Sequence, residues 1–221
     1  MVEIQVKGIL FDMDGTLVNT VACVEKWWCK MAKEHGVDAA ELVKSVHGRP
    51  TYNVLCDWFP SSTHSVSYAE KFEAQVMADA DGVFAVPGAD RVLRMLDQTK
   101  WAVVTAATKA LAQTRLQQAR LPMPKILVAA GDVAQGKPHP ECYELGANML
   151  GIASNEALVF EDSVNGVLAG KAVGATVIGV LTSATEQQLR DAGAHYVVPD
   201  FGRVSVDCKD DCILVSLIPA S

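Results

Sequence analysis

The stretch Lys7-Gly8-Ile9-Leu10-Phe11, running into Asp12-Met13-Asp14-Gly15-Thr16, decides how the rest of the chain reads. Its apolar run is continuous, not alternating, which suits a strand covered on both faces. It stops at two aspartates spaced two apart, which on an extended end face one side together. In an open α/β sheet, ligands bind just beyond the carboxyl ends of the strands. Taken alone, the pair fits an acidic turn, with Asp14-Gly15 as a loop marker, as well as it fits a site.

Outward from this stretch, further runs of branched apolar residues alternate with segments of helical length. They are Trp101-Ala102-Val103-Val104-Thr105, Ile126-Leu127-Val128-Ala129, Ala157-Leu158-Val159-Phe160, Thr176-Val177-Ile178-Gly179-Val180 and the weaker His195-Tyr196-Val197-Val198. Residues 111–119 and 142–150 are of helical length. The alternation predicts an α/β fold, a parallel sheet wrapped by helices. Residues 18–83 break the rhythm: Val21, Val24, Trp28 and Met31 fall at helical spacing, and a second helical stretch covers residues 68–80. Asp81-Gly82 and Pro87-Gly88 punctuate the return to the sheet. The expected organisation is a core of residues 1–17 and 84–221 with a helical domain, residues 18–83, inserted after the first strand. Trp27 and Trp28 are expected in the core of that insert. Beyond Phe201, the segments 204–208 and 212–216 predict a C-terminal β-hairpin around Lys209-Asp210-Asp211.

Three more strand ends bear on the aspartate pair. Thr105 is followed by Ala106-Ala107-Thr108, where a hydroxyl and free backbone N–H groups at a helix start could hold a phosphate. A plain helix N-cap explains the same residues. Lys137, between Gly136 and Pro138-His139-Pro140, is a positive point charge in a stiff loop. The fourth strand ends in Glu161-Asp162-Ser163. If these strands are neighbours, four carboxylates converge, and their mutual repulsion would force a proton onto one of them. A hard divalent cation resolves the conflict, and Mg²⁺ suits carboxylates, waters and a substrate phosphate.

Across 221 residues, half hydrophobic and one fifth charged, the formal net charge is −7. That balance argues against a nucleic-acid partner, whose binding needs clustered Lys and Arg. No apolar stretch approaches the ~18 residues of a membrane span. The start, charged at Glu3 and Lys7, passes straight into a strand-like run without the pattern of a signal peptide. Six cysteines with no Cys-x-x-Cys pair predict reduced thiols in a cytoplasmic protein. A monomer is the default expectation.

The order Asp12-x-Asp14-Gly15-Thr16-Leu17, Thr105, Lys137-Pro138 and Glu161-Asp162 resembles the haloacid dehalogenase-like hydrolase superfamily, in the phosphatase branch that carries the second aspartate. The resemblance implies a Rossmann-like core with a C1 cap. A closer similarity, to sugar-phosphate, 2-deoxyglucose-6-phosphate and glycerol-phosphate phosphatases, rests on three stretches. These are His47-Gly48-Arg49-Pro50-Thr51-Tyr52, Lys100-Trp101-Ala102-Val103-Val104-Thr105 and Gly136-Lys137-Pro138-His139-Pro140. Ala106-Ala107 replaces a more usual Ser-Gly, removing a possible hydroxyl contact.

What the resemblance implies is a phosphatase of small sugar or polyol phosphates. Asp12 would be the nucleophile, forming an aspartyl-phosphate, and Asp14 the general acid and base. Mg²⁺ would be held by Asp12, the backbone carbonyl of Asp14 and Asp162, with Glu161 near or in the shell. Thr105, Ala106 and Lys137 would grip the phosphoryl group, and His47, Gly48 and Arg49 the substrate. A phosphomutase of the β-phosphoglucomutase type shares core and cap and is the alternative. A catalytically silent binding module is a third reading, which the intact motif set disfavours.

Overall fold

The computed structural model describes residues 2–218. The chain opens with β1 (Val2–Val6) and enters β2 (Gly8–Phe11), whose four residues are all buried. A two-residue strand, β3 (Val18–Asn19), leads into the helices α1 (Val21–His35), α2 (Ala39–Val46), α3 (Thr51–Trp58) and α4 (Val66–Ala78). The return is β4 (Phe84–Ala85), which pairs antiparallel with β3, so the two crossings between insert and core lie side by side. Helices and strands then alternate: α5 (Ala89–Met95), β5 (Trp101–Val104), α6 (Lys109–Gln118), β6 (Leu127–Val128), α7 (Glu141–Leu150), β7 (Ala157–Glu161), α8 (Val164–Ala172), β8 (Thr176–Val180), α9 (Glu186–Asp191) and β9 (Tyr196–Val198). The hairpin β10 (Val204–Cys208) and β11 (Ile213–Leu217) follows.

The main sheet has the order β6-β5-β2-β7-β8-β9 and every pairing in it is parallel. Phe11 stands opposite Val103 on one side and Phe160 on the other, so Asp12, Val104 and Glu161 leave the sheet level with one another. Alternate side chains go to opposite faces. Ile9, Phe11, Trp101 and Phe160 pack with α5, α6 and the hairpin, while Leu10, Val104 and Val159 pack with α7 and α8. Phe11 stacks on Phe160 with ring centroids 5.3 Å apart directly below the rim. Truncating a buried aromatic of this kind costs about 3–5 kcal/mol, so the floor beneath Asp12 is stiff.

The C-terminal hairpin forms as the sequence predicts, but it is not a lone pair of strands. Val2–Val6 adds to β11, giving a three-stranded antiparallel sheet of order β1-β11-β10. Isolated hairpins are marginal in water, and a third strand with an apolar face supplies what they lack. Val6, Val204, Val206, Ile213, Val215 and Leu217 turn that face into the main core.

The inserted helices have a separate core built on Trp28, Met31, Leu42, Val46, Leu55, Phe59 and Phe72. Trp27 is only partly buried against it and donates its indole N–H to Asp79. Local sequence sets the helix ends. Gly36 closes α1 in the left-handed conformation, and Asp38 caps α2 by accepting from the N–H of Ala40 and Glu41. Ser65 caps α4 by accepting from Tyr68 N–H, which starts that helix two residues before the apolar periodicity does. Among the described residues, no helix is long and apolar enough to cross a membrane.

Candidate active site

Asp12 follows β2, Thr105 follows β5, and Glu161 and Asp162 stand at the end of β7, on three adjacent strands of one rim. Lys137 reaches the same point from the loop between β6 and α7. Its ammonium lies 2.6 Å from Asp12 Oδ1 and 2.6 Å from Glu161 Oε1, and donates to the carbonyl of Val104 at 3.1 Å. All of these side chains are buried. Asp12, Glu161 and Asp162 place carboxylate oxygens within 4.8 Å of one another, an arrangement that could hold a metal ion.

Glycines make this convergence possible at two positions. A Cβ on Gly15 would stand 1.8 Å from Asp162 Oδ2, and one on Gly166 would stand 1.6 Å from Glu161 Oε1. Glu161 is held from every side: besides Lys137 it accepts from Tyr143 Oη at 2.8 Å, from Ser163 Oγ, and from the N–H groups of Asp162 and Ser163. Asp162 Oδ1 accepts from Thr16 Oγ1 and its Oδ2 from Thr182 Oγ1. Thr105 accepts from Ala107 N–H at 3.1 Å, which leaves its hydroxyl proton free to donate elsewhere. Asp14 stands apart from the carboxylate trio and accepts from Thr20 Oγ1 at 2.7 Å, at the start of α1.

The charges do not balance. Burial, with the Glu161 charge added, pushes the Asp162 carboxyl up to about 7, and the same two causes raise Asp12 well above the usual carboxylate range. Burial also raises Asp14, against the lowering effect of its bond from Thr20. Desolvation works to lower Lys137, but the Asp12 and Glu161 charges more than offset it and the ammonium is firmly protonated. One cation thus faces several buried carboxylates. An all-oxygen set with surplus negative charge fits a hard divalent cation, which would relieve the strain on Asp12 and Asp162 together.

The insert closes over this rim. Asp12, Asp14, Thr105 and Ala106 share a cavity of about 70 Å³ with His47, Gly48 and Arg49 of the insert. His47 Nε2 lies 3.1 Å from Glu25, its carbonyl accepts from Asn165, and Arg49 pairs with Asp57 on α3. Gly48, at φ 71°, comes so close to the core that a Cβ there would meet Ser163 Oγ at 2.2 Å. Of the ten residues singled out from sequence, Asp12, Asp14, Thr105, Ala106, His47, Gly48 and Arg49 line this cavity, while Lys137, Glu161 and Asp162 gather around Asp12.

Sequence reasoning did not single out Tyr143, Ser163, Thr182, Thr20, Glu73 or Arg115. A usable signal existed for Thr182, which follows β8 and so obeys the same strand-end rule. Ser163 also had one, as an N-cap whose hydroxyl accepts from Gly166 N–H. Tyr143, Glu73 and Arg115 sit inside helices, where nothing local marks them.

Fold and site together define an α/β protein whose inserted helices lie over carboxylates at the sheet's C-terminal rim. A family model described as haloacid dehalogenase-like hydrolase matches residues 6–174, and the chain belongs to that family. Hydrolases of this family generally use a divalent metal, as the buried acidic trio would lead one to expect. The chain is 36% identical to hexitol phosphatase A of Escherichia coli, over 84% of this chain and 88% of that protein. It is 37% identical to 2-deoxyglucose-6-phosphate phosphatase 1 of Saccharomyces cerevisiae, over 93% and 92% respectively. A hydrolase from Pseudomonas syringae superposes with a TM-score of 0.74 at 25% identity, covering 88% of this chain and 93% of that one.

Proposed function

We propose that the protein is a Mg²⁺-dependent phosphatase of small sugar or polyol phosphates. The observation that carries this reading is the Lys137 ammonium, 2.6 Å from both Asp12 and Glu161 at the rim of three adjacent strands. Phosphoryl transfer depends mainly on positioning and on stabilising charge, and that rim supplies both.

Asp12 attacks phosphorus, forming a carboxylate–phosphorus bond as the bond to the leaving oxygen breaks. Asp14, whose carboxyl is made less acidic by burial, would deliver a proton to that oxygen. It then takes a proton from the water that hydrolyses the acyl phosphate, returning both aspartates to their starting state. Lys137 and the hydroxyl of Thr105 hold phosphoryl oxygens, assisted by backbone at Ala106. Asp12, Asp162 and the backbone carbonyl of Asp14 would hold Mg²⁺, with Glu161 beside them keeping Lys137 in place. The ion supplies neutralisation of the transferring group's charge.

Core and cap residues line one cavity, Asp12, Asp14 and Thr105 from the core and His47 and Arg49 from the cap, so the cap would move aside for entry and close for reaction. Its closed face, with His47, Gly48 and Arg49, would meet the leaving group. Hexitol, 2-deoxyglucose and glycerol phosphates are the first substrates to try, since phosphatases named for them are 30–37% identical to this chain.

The test is a product assay with Mg²⁺ on a hexitol 6-phosphate, 2-deoxyglucose 6-phosphate and glycerol 1-phosphate. Inorganic phosphate should appear from at least one, stop on chelation and resume when Mg²⁺ is returned. Release of no phosphate from any of them, an isomeric sugar phosphate as the sole product, or undiminished turnover after chelation would overturn the reading.

A further inference from the structure

Glu73, on α4 of the cap, is buried to 6% exposure, yet no Lys, Arg or His among the described residues lies within ion-pair distance of it. Its one hydrogen bond comes from Thr108 Oγ1, across the boundary between cap and core, at 2.5 Å to Oε2. Oε1 accepts from no described residue, and it is not among the polar atoms sealed away from solvent. Arg115 lines the same cavity, but its terminal nitrogens are spent on the carbonyls of Val76 and Asp79, on Gln118 and on the Cys23 sulfur. Glu73 therefore has one oxygen held by the core and one left to meet whatever enters the cavity.

Its position suggests what that oxygen meets. Glu73 lines the inner cavity with Asp12, Asp14 and Thr105, and also an outer cleft of about 890 Å³ between α3, α4 and the Gly131–Pro140 loop. It stands where the two spaces meet. A phosphoryl group is anionic and would be repelled by it, so this oxygen belongs to the uncharged end of the substrate. A carboxylate oxygen accepts hydrogen bonds, and the donor that suits it at the uncharged end of a phosphate ester is an O–H.

We propose that Glu73 is a specificity-determining residue that accepts a hydroxyl of the leaving group through Oε1, while Thr108 holds Oε2. This rests on the phosphatase reading and extends it: the preferred leaving groups are polyhydroxylated, and alkyl chains of equal length are rejected. Because Thr108 belongs to the core, the acceptor is aimed only when the cap is closed, so recognition and closure occur together. A site built to bond a hydroxyl discriminates strongly against the analogue lacking it, since its polar group is then left unpaired.

The experiment compares kcat/KM for a hexitol 6-phosphate and hexyl phosphate in the wild type, Glu73→Gln and Glu73→Leu. The ratio is measured within each preparation and so does not depend on the fraction folded. The wild type should favour the hexitol phosphate. Glu73→Leu should reduce the ratio by about tenfold to a hundredfold, the range expected for a hydrogen bond to a charged group, with Glu73→Gln in between. A wild type active on both but without preference, or ratios within twofold of wild type in both variants, would overturn the role of Glu73 and leave the phosphatase standing. Absence of phosphate from either substrate in the wild type with Mg²⁺, and from glycerol 1-phosphate as well, would sink the phosphatase reading and this one with it.

Discussion

On the core side of the cleft, Glu161 takes the Lys137 ammonium and four further hydrogen bonds, and nothing in its surroundings could turn it. On the cap side, Glu73 has a single partner, and Arg49 pairs with the exposed Asp57 of its own domain. The rim that performs the chemistry is fixed many times over by strand ends, glycine approaches and buried donors. The roof proposed to meet the leaving group is held by fewer contacts. In the proposed reaction the overdetermined half would carry the chemistry and the sparsely determined one the choice of substrate.

Four measurements press on that contrast, the first with the greatest expected effect. Asp12→Asn should lower turnover by about 10⁴-fold or more, the scale seen when a nucleophile is removed, with a native circular dichroism spectrum. Comparable activity in the folded variant would remove Asp12 from the mechanism. Glu161→Gln should destabilise the protein by about 1–3 kcal/mol, the cost of leaving buried donors around it unsatisfied while Lys137 keeps its pairing with Asp12, and cut kcat more than it raises KM. A denaturation midpoint equal to wild type would show that the Lys137 network is less rigid than its geometry indicates.

A smaller effect is expected where roof meets rim. Gly48→Ala puts a methyl 2.2 Å from Ser163 Oγ at a positive φ, which costs about 1–2 kcal/mol in backbone terms alone. Closure should suffer, lowering kcat/KM by about tenfold while the melting temperature of the core barely moves. Unchanged kinetics would mean that the cap does not close through this contact. The smallest effect is on stability against pH in metal-free protein. The Asp162 carboxyl titrates near 7 folded and at 3.8 unfolded, so the native state binds the extra proton between those values. Stability should therefore fall as pH rises across that window, and a saturating divalent cation should flatten the slope. A metal-free protein that gains stability over the same range would contradict the charge imbalance at the rim.

Much of the rim was legible because strand ends are marked in sequence: an apolar run, then a polar residue at a turn. Asp12, Thr105 and Glu161 all follow that rule, and Lys137 stood out between a glycine and prolines. β1 was not read from the sequence, although Val2, Ile4 and Val6 alternate with Glu3 and Gln5, and its pairing with β11 joins segments far apart in sequence and has no local sign. Glu73, Arg115 and Tyr143 could not be found this way. Each sits in an ordinary helical pattern, and only the three-dimensional arrangement shows which face of the helix meets a cavity or a buried partner.

The placement of β2 in the middle of its sheet has a consequence for how the molecule assembles. Its neighbours arrive late: Ile9 pairs with Trp101 on one side and with Leu158 on the other. Each pairing closes a long loop, an entropic cost met before any contact repays it. During synthesis the apolar strand leading to Asp12 emerges before both of its partners and waits, unpaired, while the helices that follow it condense among themselves. Mutations that slow β7, far from the start of the chain, should therefore lengthen the time for which this strand is open to aggregation.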